Sequence, residues 1–509
     1  MQTTKLRPVL QLAFVNKNFT RNIAINNAGI KEAEEPVQQG KPWREIPGPS
    51  SLPIIGQLHH ILPGGDFYNL TSMDFVLKMQ KLYGPISRFE TPLGAPPLII
   101  FFDPESCAQI LRGENWLPER PGFLSLQYYR NSYRKNKTEF AGLLTDHGEK
   151  WKKFRSSVNP ALLQPKTIKL YSEILDEVAQ DMVARLKSIR DDNNMIKSKL
   201  DVEMNLWSLE SIGVVALGDR LNCLDPNLPE GSPARKLIKV IHDFFTVSEA
   251  LDFKPSLWRY ISTPMFKRAM KVYEDQENLT KYFVDETLKK LKTKSTNTDE
   301  ERGVLEKLLE IDETVAHIMA SDMLFAGVDT TSNTLLLTLY LLAANPEKQE
   351  KLREQILSNE VKRPYLKACI KESMRVMPIV SGNLRRTTKE HNVMGFNIPK
   401  EMFVVFFHEI MSRMEENYPR PNEYIPERWL VGKDDPLYYG NTHPFVTSPF
   451  GFGARSCIGR RIAELEIETM IARLLQNFKI EWIGEPLTLK RTTSITYAAE
   501  PFNFVFKDL

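Results

Sequence analysis

Residues 449–461 read P-F-G-F-G-A-R-S-C-I-G-R-R, with three glycines and three arginines around one cysteine. A thiolate is a soft, strongly donating ligand that can hold haem iron and push electron density into it. Such a sulfur must be deprotonated, shielded from water and open to the approach of a flat macrocycle. Gly451, Gly453 and Gly459 offer backbone freedom and missing side chains for that approach. Amides at the start of a helix after Cys457 would stabilise the negative sulfur, and Arg455 can pair with a propionate.

The competing chemistries are weaker. Cys107, Cys223 and Cys369 lie far apart with no C-x-x-C, which argues against a disulfide framework or a structural zinc site. They read as small buried hydrophobes. The eight histidines form no H-E-x-x-H, and the adjacent pair His59-His60 lacks the spacing that aims two rings at one metal. A dinucleotide-binding G-x-G-x-x-G fails because its last position is Ser456. A net charge of +3 gives no footing for nucleic acid.

Three further sets of residues have spacings with chemical meaning. Ala326 and Thr330, in A-G-V-D-T-T, fall on one helical face, so a small residue opens space beside a hydroxyl. A glycine and Asp329 within the same helix are costly by propensity, as at a functional bulge. Trp151 and Arg155 lie four apart, on one helical face. Glu372 and Arg375 put opposite charges one turn apart, and so do Glu350 and Arg353, which read as a solvated face. Lys367 and Lys371 form a short basic row that by itself reads equally well as ordinary helix surface.

The elements that must position these residues are mostly helical. Helical periodicity dominates 151–292, with breaks expected at Pro160, Pro165 and Pro255. A long helix is predicted over 313–344, interrupted in its apolar character by Asp322 and Asp329, so a buried core helix is the better reading than a membrane span. Helices over about 364–377 and 458–477 and strands over 87–102 and 392–407 complete a mainly α fold with a minor β region. Residues 1–31 carry Lys5, Arg7, Lys17, Arg21 and Lys31 with no acid, and Leu6, Val9, Leu10, Ala13 and Phe14 share a helical face. That pattern suits a mitochondrial transit peptide over 1–35, ahead of a catalytic domain over 36–509.

The motif F-x-x-G-x-R-x-C-x-G at Phe450–Gly459, with the others in their order, resembles the cytochrome P-450 family of haem-thiolate monooxygenases over roughly 40–507. The resemblance implies that family's fold, with haem b (iron protoporphyrin IX) between the long central helix and the helix after the cysteine loop. It makes Cys457 the axial iron ligand and places Phe450 and Ala326 against the haem. Trp151, Arg155 and Arg455 would bind propionates, as would Arg385 or its neighbour Arg386. Thr330 would hydrogen-bond bound dioxygen and organise water, with Asp329 linking that water to bulk protons. Glu372, Arg375 and Arg428, the last within P-E-R-W, would form a structural charge network. Two departures from the family pattern stand out, an abbreviated stretch over 358–364 and Glu401 at a turn position where glycine is usual.

The motifs leave no room for a flavin reductase domain, so electrons must come from NADPH through a partner. Lys367 and Lys371 match lysines by which mitochondrial members dock an adrenodoxin-like ferredoxin, itself reduced by ferredoxin reductase, and Arg460 and Arg461 would extend the same face. The whole-chain pattern resembles the insect mitochondrial members, especially those associated with foreign compounds. That implies O2-dependent hydroxylation of an apolar xenobiotic, with an ecdysteroid-type steroid as second reading and a haem-binding sensor without turnover as a third. Phe123, Leu126, Tyr128, Leu143, Phe244 and Phe245 would roof the pocket or serve as ordinary core. Leu257, Trp258, Tyr260 and Phe266, mixed with Lys254, Arg259 and Lys267, suit peripheral binding to the inner mitochondrial membrane from the matrix side.

Overall fold

Asp312 starts the central helix: its carboxylate accepts from the backbone N–H groups of Thr314 at 2.8 Å and Val315 at 3.2 Å. The helix then runs Glu313–Ala344 and stops at Asn345-Pro346, as predicted. It belongs to a computed structural model that describes residues 40–509 except 54, 91–96, 115–116, 197–198, 255, 294–301, 359–361 and 493. The proposed leader, Pro255 and part of the abbreviated stretch therefore lie outside the described residues.

The central helix is apolar on almost every side and is correspondingly buried on almost every side. Helices Leu200–Leu217, Pro364–Val376 and Arg460–Asn477 pack around it. Its two interrupting acids are buried, and Asp322 is paired with Arg130 at 2.8 Å. Among the described residues no helix is long and apolar enough to cross a membrane. The expected bulge is not there; the helix is uninterrupted through 326–331. Its glycine answers to packing instead. A Cβ on Gly327 would sit 2.7 Å from Ile212 Cγ1, and the Gly327 carbonyl accepts from the Ser208 hydroxyl at 3.0 Å.

Other predicted boundaries shift for local reasons. Pro160 does not break its helix but lies inside Gly148–Leu163, where its missing N–H forfeits one bond, to the Ser156 carbonyl, and the rest of the helix holds. Pro165 does begin a new helix, Pro165–Lys169. The last helix begins at Arg460 rather than Ile458. Arg353 is not on a solvated face: its side chain is buried, and it donates to the carbonyls of Leu475 at 3.1 Å and Phe478 at 2.9 Å. Those carbonyls end helix Arg460–Asn477 and need a donor. Glu350 alone of that pair is exposed.

The minor β region is larger than predicted. A four-stranded sheet has the order Ile86–Phe89, Leu98–Phe101, Phe403–Phe406, Asn383–Arg386, with the middle pair parallel and both outer pairs antiparallel. Strand Asn383–Arg386 went unpredicted because N-L-R-R has no strand pattern of its own; pairing with Phe403–Phe406 makes it one. The C-terminal strands Phe478–Trp482, Thr488–Arg491, Thr496–Ala499 and Phe504–Asp508 were likewise unpredicted.

Glu401 has φ +73°, the left-handed region where glycine is at home, and its carboxylate pairs with Arg386 at 3.1 Å. The backbone penalty of about 1–2 kcal/mol exceeds what an exposed pair contributes. Glu401→Gly is expected to raise stability by about 1 kcal/mol, read as an increased thermal midpoint; a lowered midpoint would refute the assignment of strain.

Candidate active site around Cys457

The cysteine loop is shaped by its own backbone. The Cys457 N–H donates to the Phe450 carbonyl at 2.9 Å, and the N–H of Ser456 to that of Gly453 at 3.0 Å. Gly451 and Gly453 have φ of +71° and +70°, so glycine is required at both. Gly459 differs from the expectation, with an ordinary φ of −85° as the residue that caps helix Arg460–Asn477. The Cys457 sulfur is exposed on the floor of a cavity but ringed by protein. Burial pushes its thiol up, opposed first by the Gly459 backbone and then by Arg155, Arg120 and Arg460. A coordinated metal removes such a proton outright.

The same cavity is lined by Ala326, Gly327 and Thr330 of the central helix and by Leu143. The Thr330 hydroxyl donates to the Ala326 carbonyl at 2.7 Å. Asp329, one residue earlier, is 1% exposed and turned away from the cavity toward His242 and Tyr497. Of the predicted roof residues only Leu143 lines this cavity. Phe123, Phe244 and Phe245 join Phe325 in an aromatic cluster, Leu126 is buried core, and Tyr128 is exposed beside Trp258.

Beside the sulfur lies a crowd of cations. Arg155 donates to the Ser456 carbonyl at 3.1 Å and to Asn159 at 2.8 Å. Arg455 stacks 3.8 Å above the Trp151 ring and donates to the carbonyls of Pro118, Leu143 and Asp146. Strand alternation sends the two neighbours to opposite faces. Arg385 points inward, 2% exposed, to Glu114 at 2.9 Å and the Phe452 carbonyl, whereas Arg386 points outward to Glu119 and Glu401. The sequence reading missed Arg120, half-buried in P-E-R-P and carrying no motif. Burial first, and then Arg385, pull the Arg120 guanidinium down to about 10. Burial, then Arg120, Arg385 and Arg155, pull Arg455 down to about 8. Four guanidiniums held this close in a buried place call for anions, and two carboxylates on a flat ligand above Cys457 would meet the call.

Glu466 was also missed. It lines the cavity from helix Arg460–Asn477, and burial pushes its carboxyl up to about 8, opposed only by the nearby Thr331 hydroxyl.

The family model for cytochrome P-450 matches residues 46–506. The chain belongs to the cytochrome P-450 family. Cytochrome P-450 CYP12A2 of Musca domestica is 38% identical over 510 residues, covering 95% of this chain and 94% of that one. The protein named "Probable cytochrome P-450 12a5, mitochondrial" of Drosophila melanogaster is 37% identical over 495 residues, covering 92% of each. Cytochrome P-450 12b1, mitochondrial, of Drosophila acanthoptera is 33% identical over 487 residues, covering 91% of this chain and 90% of that one. As a P-450 the chain is a haem monooxygenase, not a sensor without turnover. The mainly α fold with small sheets is the family's. The donor set fits haem: a sulfur open to a cavity, small residues opposite it, and excess buried positive charge to one side.

The charge network lies apart from the cavity and is more deeply buried than expected. Arg375 and Arg428 both donate to Glu372 at 2.8–2.9 Å, and all three side chains are 0% exposed. Trp429 and the Ile425 N–H add two bonds the sequence did not announce, at 2.9 and 3.1 Å. Glu372→Ala strands two buried guanidiniums and is expected to cost about 3–5 kcal/mol. A thermal melt within a degree or two of wild type would show that the network is dispensable.

Proposed function

We propose that the protein is a mitochondrial P-450 that inserts one oxygen atom from O2 into an apolar small molecule, taking its electrons from NADPH through ferredoxin reductase and a ferredoxin. The observation that carries this reading is the shared cavity of Cys457 and the Ala326–Thr330 turn, lined mainly by apolar side chains. Cys457 would hold the haem iron, with Arg120, Arg155, Arg385 and Arg455 around the propionates and Phe450 packed beside the sulfur. Bound there, haem supplies reductive activation of O2, favoured by the electron-donating thiolate. The chain's own part is to shelter and orient. The Thr330 hydroxyl holds a hydrogen bond at the cavity wall, and the Asp329 carboxylate connects that wall to protons outside. Small Ala326 leaves room for both substrate and water.

Support for the electron donor and the location comes from two sides. Relatives carry "mitochondrial" in their names. Lys367 and Lys371 are both exposed on helix Pro364–Val376; Lys367 lines a groove with Lys362, Arg363 and Arg473, and Lys371 stands 5.6 Å over the Trp429 ring. Glu468 offsets part of this charge, standing 3.8 Å from Lys367. Arg460 is exposed and pairs with Glu464, while Arg461 donates to the Leu163 carbonyl, so the lysines are the freer docking charges. Residues 1–35 would serve as the transit peptide. Of the residues expected at the membrane Phe266 is buried, at 8% exposed, but Leu257 and Tyr260, exposed at 45% and 76%, with Ile261 at 59%, support peripheral contact with the inner membrane. Among apolar substrates we favour a xenobiotic, following the resemblance to insect members, over an ecdysteroid-type steroid; binding spectra with insecticide-like compounds and with sterols discriminate them.

The ferrous holoprotein with carbon monoxide is expected to show the red-shifted Soret band of thiolate ligation, and Cys457→Ala to abolish it; a band surviving the substitution sinks the assignment. Lys367→Glu with Lys371→Glu should slow reduction by ferredoxin at low salt at least several-fold while sparing that band, since complementary charge acts mainly on association. Unchanged reduction kinetics would remove the docking face.

A further inference from the structure

Asp329 lies behind the cavity wall formed by its neighbour Thr330, and two side chains approach its oxygens. His242 Nε2 stands 3.2 Å from Oδ1, and the Tyr497 hydroxyl donates to Oδ2 at 3.4 Å. The tyrosine keeps its own proton, because burial and then Asp329 hold its hydroxyl far above its ordinary range. The histidine is different. It sits on helix Pro233–Ser248 with its side chain 38% exposed, so one ring touches both a fully buried carboxylate and solvent.

The surroundings of His242 favour a charged ring. Asp329 faces it from the central helix, Asp201 and Asn205 from helix Leu200–Leu217, Asp243 from its own helix, and Tyr497 edge-on from strand Thr496–Ala499 at a centroid distance of 6.4 Å. Burial is the largest single influence and pulls the imidazole down, but Asp329, Asp201 and Asp243 together raise it above its ordinary value. Asn205 Nδ2 lies 3.0 Å from the same nitrogen. A half-turn of that amide presents its oxygen to a protonated ring and keeps a bond to Ser332.

We infer that His242 positions the Asp329 carboxylate and feeds it protons from bulk water during turnover. This rests on the reading of Asp329 and Thr330 given above. The imidazolium gives its Nε2 proton to Oδ1 of Asp329, leaving a neutral ring and a neutral carboxyl. The carboxyl releases that proton toward water at the cavity wall, and the ring regains one from solvent through its exposed edge. No electron moves in this exchange, and charge is conserved at each transfer.

Two readouts test it. In the ferrous carbon monoxide holoprotein labelled at histidine nitrogens, one ring is expected to titrate above the ordinary histidine value. That signal should vanish in His242→Ala and move down in Asp329→Asn; a signal that Asp329→Asn leaves in place overturns the pairing. During NADPH-driven turnover with ferredoxin and its reductase, His242→Ala should release more peroxide and lower product per NADPH roughly tenfold, less than loss of a complete general acid. Wild-type coupling should fall as pH rises through the His242 titration, and His242→Ala should lose that dependence. His242→Gln keeps an N–H toward Asp329 but cannot ionise, so it should stay uncoupled; full coupling there overturns the proton supply. If Asp329→Asn uncouples and His242→Ala matches wild type at every pH, this inference alone fails. If Asp329→Asn itself matches wild type, the underlying reading of Asp329 fails.

Discussion

The carboxylate of Glu372 receives five donors: two from Arg375 and one each from Arg428, Trp429 and the Ile425 backbone. Nothing about it is solvated, so every bond must be made inside the protein. The two arginines spend their remaining N–H groups on the carbonyls of Ser412, Pro419, Pro421 and Glu423. A long stretch with little regular structure is thereby tied to helix Pro364–Val376. A buried ion pair of this kind contributes little net stability against a hydrophobic alternative, but it tolerates only one arrangement of its partners. The irregular chain leading to the cysteine loop is held by that restriction.

A second group of arginines, Arg385 and Arg455 buried and Arg120 and Arg155 half-buried, obeys the opposite logic. Around Glu372 the cations are matched by a carboxylate and by carbonyls, and their role ends within the scaffold. Around Cys457, Arg120, Arg155, Arg385 and Arg455 crowd one another, and burial with mutual repulsion lowers Arg120 and Arg455. Glu114 and the loop carbonyls answer only part of that charge. Compensated charge marks framework and uncompensated charge marks a place for a ligand. The same contrast separates the two acids of the central helix. Asp322 is closed off by Arg130 and the Leu143 N–H, whereas Asp329 meets a histidine that reaches solvent.

The fold and most of the site were legible in the sequence where a residue's role is local. The central helix was bounded correctly because its cap and its Asn-Pro stop are adjacent in the chain. Helical spacing put Trp151 beside Arg155, and the glycines at 451 and 453 announced the turn of the cysteine loop. Glu401 was out of place by pattern, and its positive φ bears that out. The sequence misled where context reverses a local rule. Glu350 and Arg353 have the spacing of an exposed pair, yet the end of another helix draws Arg353 inward. Gly327 reads as a helix irregularity, yet it is the close crossing of Ile212 that requires it.

What the sequence by itself determined is the sulfur, its loop and the helices on either side, because turn geometry and helical period act between near neighbours in the chain. What only the tertiary structure decided is which charges meet. Arg120 joins Arg385 and Arg455, Trp429 joins Glu372, and His242 joins Asp329 across separations no periodicity encodes. Packing brings those groups together, and the low polarity of the interior then makes each meeting count, since a charge shielded from water must find its partner within a few ångströms.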